Sequence, residues 1–581
     1  MVTFDYMTNP EHASPRGAAS PPSCRRAWSL IALLLLGALL VIGAVLRTQS
    51  FNRHFWLDEA NQYWVARGVM PPADPNSGSI LKVHQTARNI WEPPFFSYLL
   101  HLWMLISHKQ LFLRLLPWLF GVATIPVMFL LARAVGGTAA GLTAATLVTF
   151  QPDLIYYSQE LRPYSMEVFL VASMYAAALW WMNSRARASM IVLLTVAGAG
   201  VATRFEFSFF VVCVGITIIF FSARNYGILS RETIRWAVCF GLLALLAVLL
   251  WRQFGVKLQT TVAVQGAAAL FDIRNRVATT AFLGKSVREL PYCLLPGPSN
   301  FGLFLLVLGT LGTFLLPRRS LERLGWLVFF ALPTIIFFFL AGVHAYPFGG
   351  RYILILAPGW IYATAVGIGK LMETSLGLGS KPAVSFAWLG VLSAKWSRLY
   401  ADFLLLRILL AAGFPIIAFL LLRRWKVVQR RAFGLQGVIF VSIIALSAYW
   451  LNKNTMRGHL HIPWPDPRPV VGYLEGTNNS SQRIVTCDSD FCVFWYYASE
   501  RLQSRIYPHS LPCGSVAATR EALAAIARSE KEFWIIWANR LPWVKEGIWA
   551  DNFQEVLEGQ AEVVSQVERG NYRITRVGRL P

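Results

Sequence analysis

The chain has 581 residues, of which 55% are hydrophobic and only 14% are charged, and its mean hydropathy is +0.48. Soluble globular domains carry about 25% charged residues, so this composition excludes an ordinary soluble protein. The formal net charge of +23 would suggest a nucleic-acid partner in a soluble chain. Here the cations lie in short loops between apolar runs, an arrangement that sets membrane topology. We therefore predict a polytopic membrane protein with the bilayer, and no nucleic acid, as a partner.

The apolar residues form runs of roughly 17–22 residues, the length a helix needs to cross about 30 Å of hydrocarbon. The first run is too long for a typical signal peptide and is followed by no cleavage site, so we predict a retained anchor. Four basic stretches predict the cytoplasmic side, at 183–187, 222–235, 317–323 and 423–431. The predicted spans are 28–46, 113–133, 139–157, 164–182, 189–203, 207–222, 236–251, 301–316, 326–341, 352–371, 402–422 and 434–451.

Two apolar stretches need separate treatment. If the last two basic stretches both face the cytoplasm, one more crossing must lie between them, and the weak run 383–394 is the candidate. This gives about thirteen spans of the usual length and places the C-terminus outside. The stretch 94–107 is too short for a span and contains His101, so we predict a helix that lies at the outer interface.

The apolar runs stop near residue 451, and alternating patterns follow. Strands are predicted in 482–489, 532–539 and 561–578, and helices in 491–503 and 518–530, which together indicate a small α/β domain. The predicted domains are a disordered cytoplasmic tail over 1–27, a transmembrane catalytic domain over 28–451 with outer loops 47–112 and 252–300, and an extracytoplasmic domain over 452–581.

The cysteines do not predict a metal site. The chain contains seven of them and has neither a CxxC pair nor an HExxH run, so a structural zinc is not expected. Cys487, Cys492 and Cys513 share the predicted outer domain, where disulfides form. At most one pair can close among these three, and the sequence does not say which.

Two adjacent carboxylates, Asp58 and Glu59, lie shortly after the first apolar run, in the stretch FWLDEANQYW. The spacing of Trp56, Tyr63 and Trp64 fits an amphipathic helix at the membrane interface. A carboxylate held there is partly desolvated, which suits a general base. The alternative is a pair of solvated loop acids with no role in chemistry.

The next two predicted outer loops add further charged and aromatic side chains. The stretch YYSQELRPYSME brings Glu160, Arg162 and Tyr164 to the mouth of two spans. An arginine at that depth either reaches for the interface or binds an anion. The following loop holds Arg204 and Glu206, which have the alternative of pairing with each other.

A later outer loop, HAYPFGGRY, supplies the remaining candidates. They are His344, Tyr346, Arg351 and Tyr352. The two glycines before the arginine permit a close approach of the backbone to a ligand. Several separate loops thus bring acids, cations and tyrosines to one membrane face, which a simple anchor does not need.

Five stretches occur along the chain in the order FWLDEA…ARG, WEPPFFSYLLHLW, LRLLPWLFGVATI…LLAR, YYSQELRPYSMEVFL and GGRYILILAP. Together they resemble the membrane-embedded GT-C glycosyltransferases, in the group that holds protein O-mannosyltransferases and lipid A aminoarabinose transferase. The resemblance covers residues 28–371 and implies an all-α polytopic membrane fold with a small C-terminal extracytoplasmic α/β domain. It also implies a polyprenyl-phosphate-linked sugar donor, because nucleotide sugars are absent outside the cytoplasm.

The resemblance implies roles for particular residues. Asp58 takes the place of the catalytic base and Glu59 that of a second acid, while Arg351 and Arg162 match positions near donor phosphate or acceptor. The chain departs from the aminoarabinose transferase where it reads Glu92-Pro93-Pro94 in place of Glu-Lys-Pro, and where Arg162 precedes a proline in place of an acid. A lysine of that enzyme is matched by Arg204. These differences leave the sugar and the acceptor open.

The predicted function is therefore inverting transfer of a sugar to a hydroxyl of a lipid, glycan or protein, at the outer face of a bacterial inner membrane. The motifs require no cofactor, and a divalent cation is left open. Two other classes stay open as well: a non-catalytic membrane receptor or envelope assembly factor, and a lipid transporter or flippase. Transporters place their binding sites near the membrane midplane. The charged residues of this chain are predicted at one membrane face, which favours the enzyme over the transporter.

Overall fold

The structure is a computed structural model, and it describes most of the first half of the chain and parts of the second. The described residues are 22–70, 78–88, 92–254, 290, 293–295, 305–306, 310, 313, 324–342, 351, 353–377, 466–477, 482–486, 491–507, 511, 516–538, 556–557, 561–570 and 572–579. Most of the predicted tail 1–27 and of the predicted loop 252–300 lies outside them, as do His344, Tyr346, Tyr352, Cys487 and Cys513. Cys492 is described and is a free thiol.

Helices make up the described part of the first 377 residues. They are α1 (Pro22–Leu46), α2 (Leu57–Arg67), α3 (Ile80–Ala87), α4 (Phe95–Met104), α5 (Gln110–Phe150), α6 (Pro152–Tyr157), α7 (Tyr164–Ser184), α8 (Arg187–Val201), α9 (Phe207–Tyr226), α10 (Arg231–Phe254), α11 (Leu332–Gly342) and α12 (Ala357–Gly377). A π-helical turn at Trp326–Ala331 precedes α11, and a 3₁₀ turn at Leu354–Leu356 precedes α12.

Four of the described helices, α5, α7, α9 and α10, are long and apolar enough to cross a membrane. Shorter apolar helices cover Ala32–Leu46, Arg187–Val201, Trp326–Phe338 and Leu354–Gly369, which fall on further predicted spans. The protein is therefore a multi-pass membrane protein, as its composition predicted. The predicted spans 383–394, 402–422 and 434–451 lie outside the described residues, so the count of about thirteen stays a prediction.

Helix α5 combines two predicted spans through a sharp fold. Its 41 residues would extend about 60 Å if straight, twice the hydrocarbon thickness. The helical geometry breaks at Gly136 and at Gly137, whose φ of 73° favours glycine. A Cβ built on Gly141 would lie 2.8 Å from the Phe129 carbonyl oxygen, so the two halves pack closely against each other. The predicted span 139–157 ends early, because α5 ends at Phe150 and α6 begins separately at Pro152.

Helix α4 confirms the short helix predicted in the stretch 94–107, while its position at the outer interface stays a prediction. Its 10 residues extend about 15 Å, which is half of a bilayer crossing. His101 does not interrupt it, because the ring Nδ1 lies 2.7 Å from the carbonyl oxygen of Ala66 in α2. The polar ring is thereby satisfied by a neighbouring short helix.

The C-terminal part folds around a four-stranded sheet of order β1-β2-β4-β3. Strands β1 and β2 are parallel, and the other two pairs are antiparallel. The elements are α13 (Arg468–Gly476), β1 (Arg483–Thr486), α14 (Phe491–Tyr497), α15 (Glu500–Gln503), α16 (Val516–Ser529), β2 (Glu532–Ala538), β3 (Ala561–Arg569) and β4 (Tyr572–Arg579). The predicted strands and the helix at 518–530 are confirmed. The single helix predicted at 491–503 was wrong: Ser499 caps a second helix by accepting a hydrogen bond from the Leu502 N–H.

The sheet separates two apolar cores, because successive side chains of a strand point to opposite faces. Phe533, Ile535 and Val577 belong to a core on one face. Trp534, Ile536 and Ile574 belong to the large core that also includes the buried side chains of the long helices. The C-terminal domain is thus joined to the helical bundle by continuous apolar packing.

Candidate active site

The predicted site residues that the structure describes meet at one end of the helices. Helix α7 leaves this end at Tyr164 and reaches the basic stretch 183–187, α8 returns to 203–206, and α9 leaves again for the basic stretch 222–235. The site loops and these two basic stretches therefore lie at opposite ends of the bundle. This is the relationship that the positive-inside rule predicts for an outer site.

The two adjacent acids lie in the first turn of α2. Helix α2 begins at Leu57, and the Glu59 carboxylate accepts a hydrogen bond from the backbone N–H of Trp56, the N-cap residue. Negative charge at this end of a helix is stabilised by the helix dipole. The helix ends at Gly68, whose φ of 72° closes its C-terminus. Short as it is, α2 is fixed at both ends and holds Asp58 and Glu59 in defined positions.

Glu59 is fully buried and is occupied by protein groups. Arg114 donates to both of its oxygens, from Nε and Nη2 at 3.1 and 2.9 Å to Oε1 and from Nη2 at 2.8 Å to Oε2. The backbone N–H of Leu161 donates to Oε1 at 2.9 Å. Arg114 also donates to the backbone carbonyls of residues 50, 51, 53 and 54. Glu59 therefore fastens α2 to α5 and to the loop before α7.

Asp58 has a different environment. Its side chain is 24% exposed, and its Oδ2 accepts a hydrogen bond from Nη1 of Arg351 at 2.6 Å. The Arg351 side chain is also 24% exposed. Of the two adjacent carboxylates, Asp58 is thus the one that a ligand can reach.

Three arginines surround the ring of Tyr164. The guanidinium carbon lies 5.1 Å from the ring centroid for Arg204, 5.6 Å for Arg162 and 6.0 Å for Arg351. Such cation–π contacts hold guanidinium groups near an aromatic face at separations up to about 6 Å. We call Arg162, Arg204 and Arg351 the arginine cluster. It brings together residues from three separate predicted loops.

Glu92 joins two members of the cluster. Its Oε1 lies 2.7 Å from Arg162 Nη2 and 3.2 Å from Arg204 Nη1. Arg204 also donates from Nε to Glu206 Oε1 at 2.5 Å, so the predicted pairing of these two residues is present. Because Arg204 also bonds Glu92, it connects the loop at 203–206 to the segment that precedes α4.

The positive charge of the arginine cluster is largely balanced by carboxylates. Glu167 Oε2 lies 3.6 Å from Arg204 Nε, in addition to the Glu92, Glu206 and Asp58 contacts. Within the described residues, the Nε of Arg162 is buried without a hydrogen-bond partner. In the part of the chain that the structure describes, an incoming anion would therefore meet arginine N–H groups that already contact carboxylates.

Glu160 is buried beside the two adjacent acids, with 1% of its surface exposed. Its carboxylate forms an ion pair with Arg53 at 3.6 Å. Burial, together with the negative charge of Glu59, raises the pKa of Glu160 to about 7. A carboxyl group that changes its charge near neutrality therefore lies in the wall of the site.

Sequence reasoning missed two residues that hold the site together. Arg114 lies in the apolar run LRLLPWLF, where a buried charge is expensive, and this was a usable signal for a specific partner. Gln62, which bonds Arg162 at 3.3 Å and Ser97 at 2.8 Å, carried no such signal. In the part of the chain that the structure describes, no group of three or more His, Cys, Asp or Glu side chains is placed to hold a metal ion.

Comparisons with known proteins gave structural matches only. No family model matches the chain, and no curated protein sequence matches it. Its structure is similar to ArnT from Cupriavidus metallidurans in the apo state, with 12% identity and a TM-score of 0.47 over 95% of this chain and 98% of ArnT. It is also similar to ArnT bound to undecaprenyl phosphate, with 13% identity and a TM-score of 0.46 over 94% and 98% of the two chains.

Two other solved structures are similar over most of this chain. The oligosaccharyltransferase AglB from Archaeoglobus fulgidus has 14% identity and a TM-score of 0.42 over 86% of this chain and 69% of AglB. The arabinosyltransferase EmbB from Mycobacterium smegmatis has 13% identity and a TM-score of 0.38 over 81% and 45% of the two chains. All three neighbours are GT-C glycosyltransferases, the class that the ordered motifs resemble.

Proposed function

We propose that this protein is a membrane glycosyltransferase that moves a sugar from a polyprenyl-phosphate donor to an acceptor hydroxyl. The observation that carries the proposal is the partly exposed Asp58 carboxylate, 2.6 Å from Arg351 and next to the arginine cluster. A general base and a group of cations that suits a phosphate lie together. Glycosyl transfer from a phosphate-linked donor needs both.

Asp58 supplies the base. The acceptor hydroxyl donates a hydrogen bond to the Asp58 carboxylate, and its proton passes to that carboxylate as the hydroxyl oxygen attacks the anomeric carbon. The bond between the anomeric carbon and the phosphate oxygen breaks, and its electron pair leaves with the phosphate. Because a single displacement is proposed, the configuration at the anomeric carbon inverts.

The arginine cluster stabilises the leaving group. Polyprenyl phosphate gains negative charge as it departs, and guanidinium groups form charge-assisted hydrogen bonds to phosphate oxygens. Arg351 is the cluster member that contacts the base, so it can bridge the phosphate and Asp58.

The carboxylates around the cluster limit how the phosphate binds. Glu92 neutralises part of the charge of Arg162 and Arg204 before a ligand arrives. Arg351 has a greater side-chain exposure, 24% against 9% for Arg162 and 8% for Arg204. We therefore place the phosphate at Arg351, while Glu92 and Tyr164 hold Arg162 and Arg204 beside it.

We place the site at the outer face of a bacterial inner membrane, because the basic stretches 183–187 and 222–235 lie at the opposite end of the bundle. No activated nucleotide sugar is present there, which favours a lipid-linked donor. The acceptor is a hydroxyl of a lipid, a glycan or a protein. Among the neighbours, ArnT was solved bound to undecaprenyl phosphate, so this lipid is the first probe to use.

A transfer assay tests the proposal. Purified protein is mixed with a panel of radiolabelled undecaprenyl-phosphate pentoses and hexoses and with an envelope extract as acceptor, and release of undecaprenyl phosphate is measured. The parent protein should release the lipid from at least one donor, and Asp58→Asn should release it about 10²–10⁴-fold more slowly. If the protein binds undecaprenyl phosphate but consumes no donor in the panel, the result would contradict the enzyme and support a lipid-binding receptor.

A further inference from the structure

Helix α14 of the C-terminal domain packs directly against α2, the helix that carries Asp58. The Trp64 indole N–H donates to the Cys492 carbonyl oxygen at 3.1 Å. The ring of Tyr496 lies 4.8 Å from that of Tyr63 and 4.7 Å from that of Phe55. The C-terminal domain therefore contacts the catalytic helix itself as well as the transmembrane helices.

Phe55 is the residue where the two domains converge. It is fully buried and lies just before the N-cap of α2. Arg114 of α5 lies over one side of its ring at 5.0 Å, and Tyr496 of α14 packs on the ring as well. The Phe55 ring is thus held by groups of the transmembrane domain and of the C-terminal domain.

Tyr497 fixes the backbone at the same point. Its hydroxyl oxygen accepts a hydrogen bond from the backbone N–H of Phe55 at 2.7 Å and donates to Gln110 Oε1 at 2.9 Å. The Gln110 amide in turn donates to the Arg53 carbonyl oxygen. One phenol hydroxyl therefore links the C-terminal domain, the start of α5 and the segment that leads into α2.

We propose that Tyr497 is a positioning residue for the proposed transfer reaction. It holds the Phe55 backbone, and through it the first turn of α2, so that Asp58 stays within reach of Arg351 and the acceptor. A buried N–H that loses its partner is costly, so removal of this hydroxyl loosens the turn. Small displacements of a reacting group lower catalytic rates strongly. The inference rests on the proposed function, and it also makes the C-terminal domain a requirement for activity.

Two neighbouring substitutions separate positioning from general packing. Tyr497→Phe removes the bridging hydroxyl and keeps the ring. Tyr496→Phe is the matched control, because its hydroxyl contacts only the His108 carbonyl oxygen, at 3.4 Å, among the hydrogen bonds of the described residues. Both variants are made in the full chain, and both should keep the melting temperature of the parent within a few degrees.

The first measurement is hydrogen exchange, which does not depend on activity. In Tyr497→Phe, amides in a peptide covering residues 51–60 should exchange about tenfold faster, since a lost hydrogen bond of roughly 1–1.5 kcal/mol raises local opening by that factor. The same peptide in Tyr496→Phe should exchange as in the parent. Unchanged exchange in Tyr497→Phe would overturn the inference.

The second measurement is the kinetics of transfer with the donor found for the parent. Tyr497→Phe should lower kcat about tenfold and leave the donor KM within about twofold. In an Asp58→Asn background, Tyr497→Phe should cause no further loss, because its effect passes through that carboxylate. Faster exchange with an unchanged kcat would make Tyr497 merely structural. If the parent transfers no sugar, the proposed function falls, and hydrogen exchange alone decides whether Tyr497 holds Phe55.

Discussion

Arg351 contacts Asp58 across 293 residues of chain, with 2.6 Å between Nη1 and Oδ2. The pair connects a short helix after the first span to a residue just before α12. Both side chains are partly exposed, so the pair is accessible from outside the protein. The neighbouring Glu59–Arg114 pair has the same chemistry and is fully buried. Burial thus separates a pair that is available for chemistry from a pair that supports the fold.

Replacing Arg351 should reduce use of the lipid donor. Arg351→Ala removes a charge-assisted hydrogen bond worth about 1.5–3 kcal/mol, so kcat/KM for the donor should fall about tenfold or more. Arg351→Lys should lose less, since it keeps the charge but not the two-pronged geometry. Arg235→Ala, at an exposed ion pair at the opposite end of the bundle, is the control and should match the parent. Equal donor use by Arg351→Ala and the parent would leave Arg351 as an interfacial anchor only.

Breaking the buried Glu59–Arg114 pair should destabilise the protein. Removing one partner of a buried ion pair leaves an uncompensated charge and costs about 3–5 kcal/mol. We therefore expect Arg114→Met and Glu59→Gln to lower the yield of monodisperse protein and the melting temperature. Asp58→Asn, at the exposed position, should melt like the parent. A normal melting temperature for Arg114→Met would contradict the structural role given to Glu59.

Glu160 predicts a dependence of stability on pH. Its folded-state pKa of about 7 lies above its ordinary value of 4.5, so the folded protein holds more protons between these two pH values. The contribution of this group to the free energy of unfolding is therefore greatest at low pH and declines as pH rises towards 7. Glu160→Gln should raise the melting temperature at pH 8 more than at pH 5.5. An equal change of the melting temperature at pH 5.5 and at pH 8 in Glu160→Gln would contradict the assignment.

The orientation in the membrane can be tested with reporter fusions. Positive-inside topology predicts that a periplasm-active reporter is bright at residue 575 and dark at 427, and bright after Phe205 and dark after Arg187. The last two positions lie at opposite ends of α8 and so report the crossing that carries Arg204 to the site. A reporter that is dark at 575 and bright at 427 would show that the span count is wrong.

The order and type of the elements were largely predictable, because hydrophobic periodicity is a local signal. Helix α7 begins after Pro163 where its apolar run begins, and α4 is as short as its run. The sharp bend inside α5 was harder to predict. Gly136 and Gly137 allow either a loop between two helices or a kink in one helix, and the packing of the two halves decides between them. The break at Ser499 was missed because the cap depends on one side-chain hydrogen bond.

The members of the site were predictable from their loops, but their partners were not. The sequence placed Asp58, Arg162, Arg204 and Arg351 at one face, and the structure brings the three arginines around Tyr164. Which of the two adjacent acids stays partly exposed depended on Arg114, which binds Glu59 from 55 residues away in the chain. The contact of Tyr497 with Phe55 depends on packing between domains, which has no local signal.

The most direct test of the account is single-turnover transfer by Asp58→Asn. Asparagine keeps the size of the side chain and part of its hydrogen bonding, and it removes the charge and the basicity. The rate of sugar transfer should fall about 10²–10⁴-fold, the usual effect of removing a general base. Binding of undecaprenyl phosphate and the melting temperature should stay those of the parent. Near-normal transfer by a well-folded Asp58→Asn protein would contradict the catalytic assignment of this carboxylate.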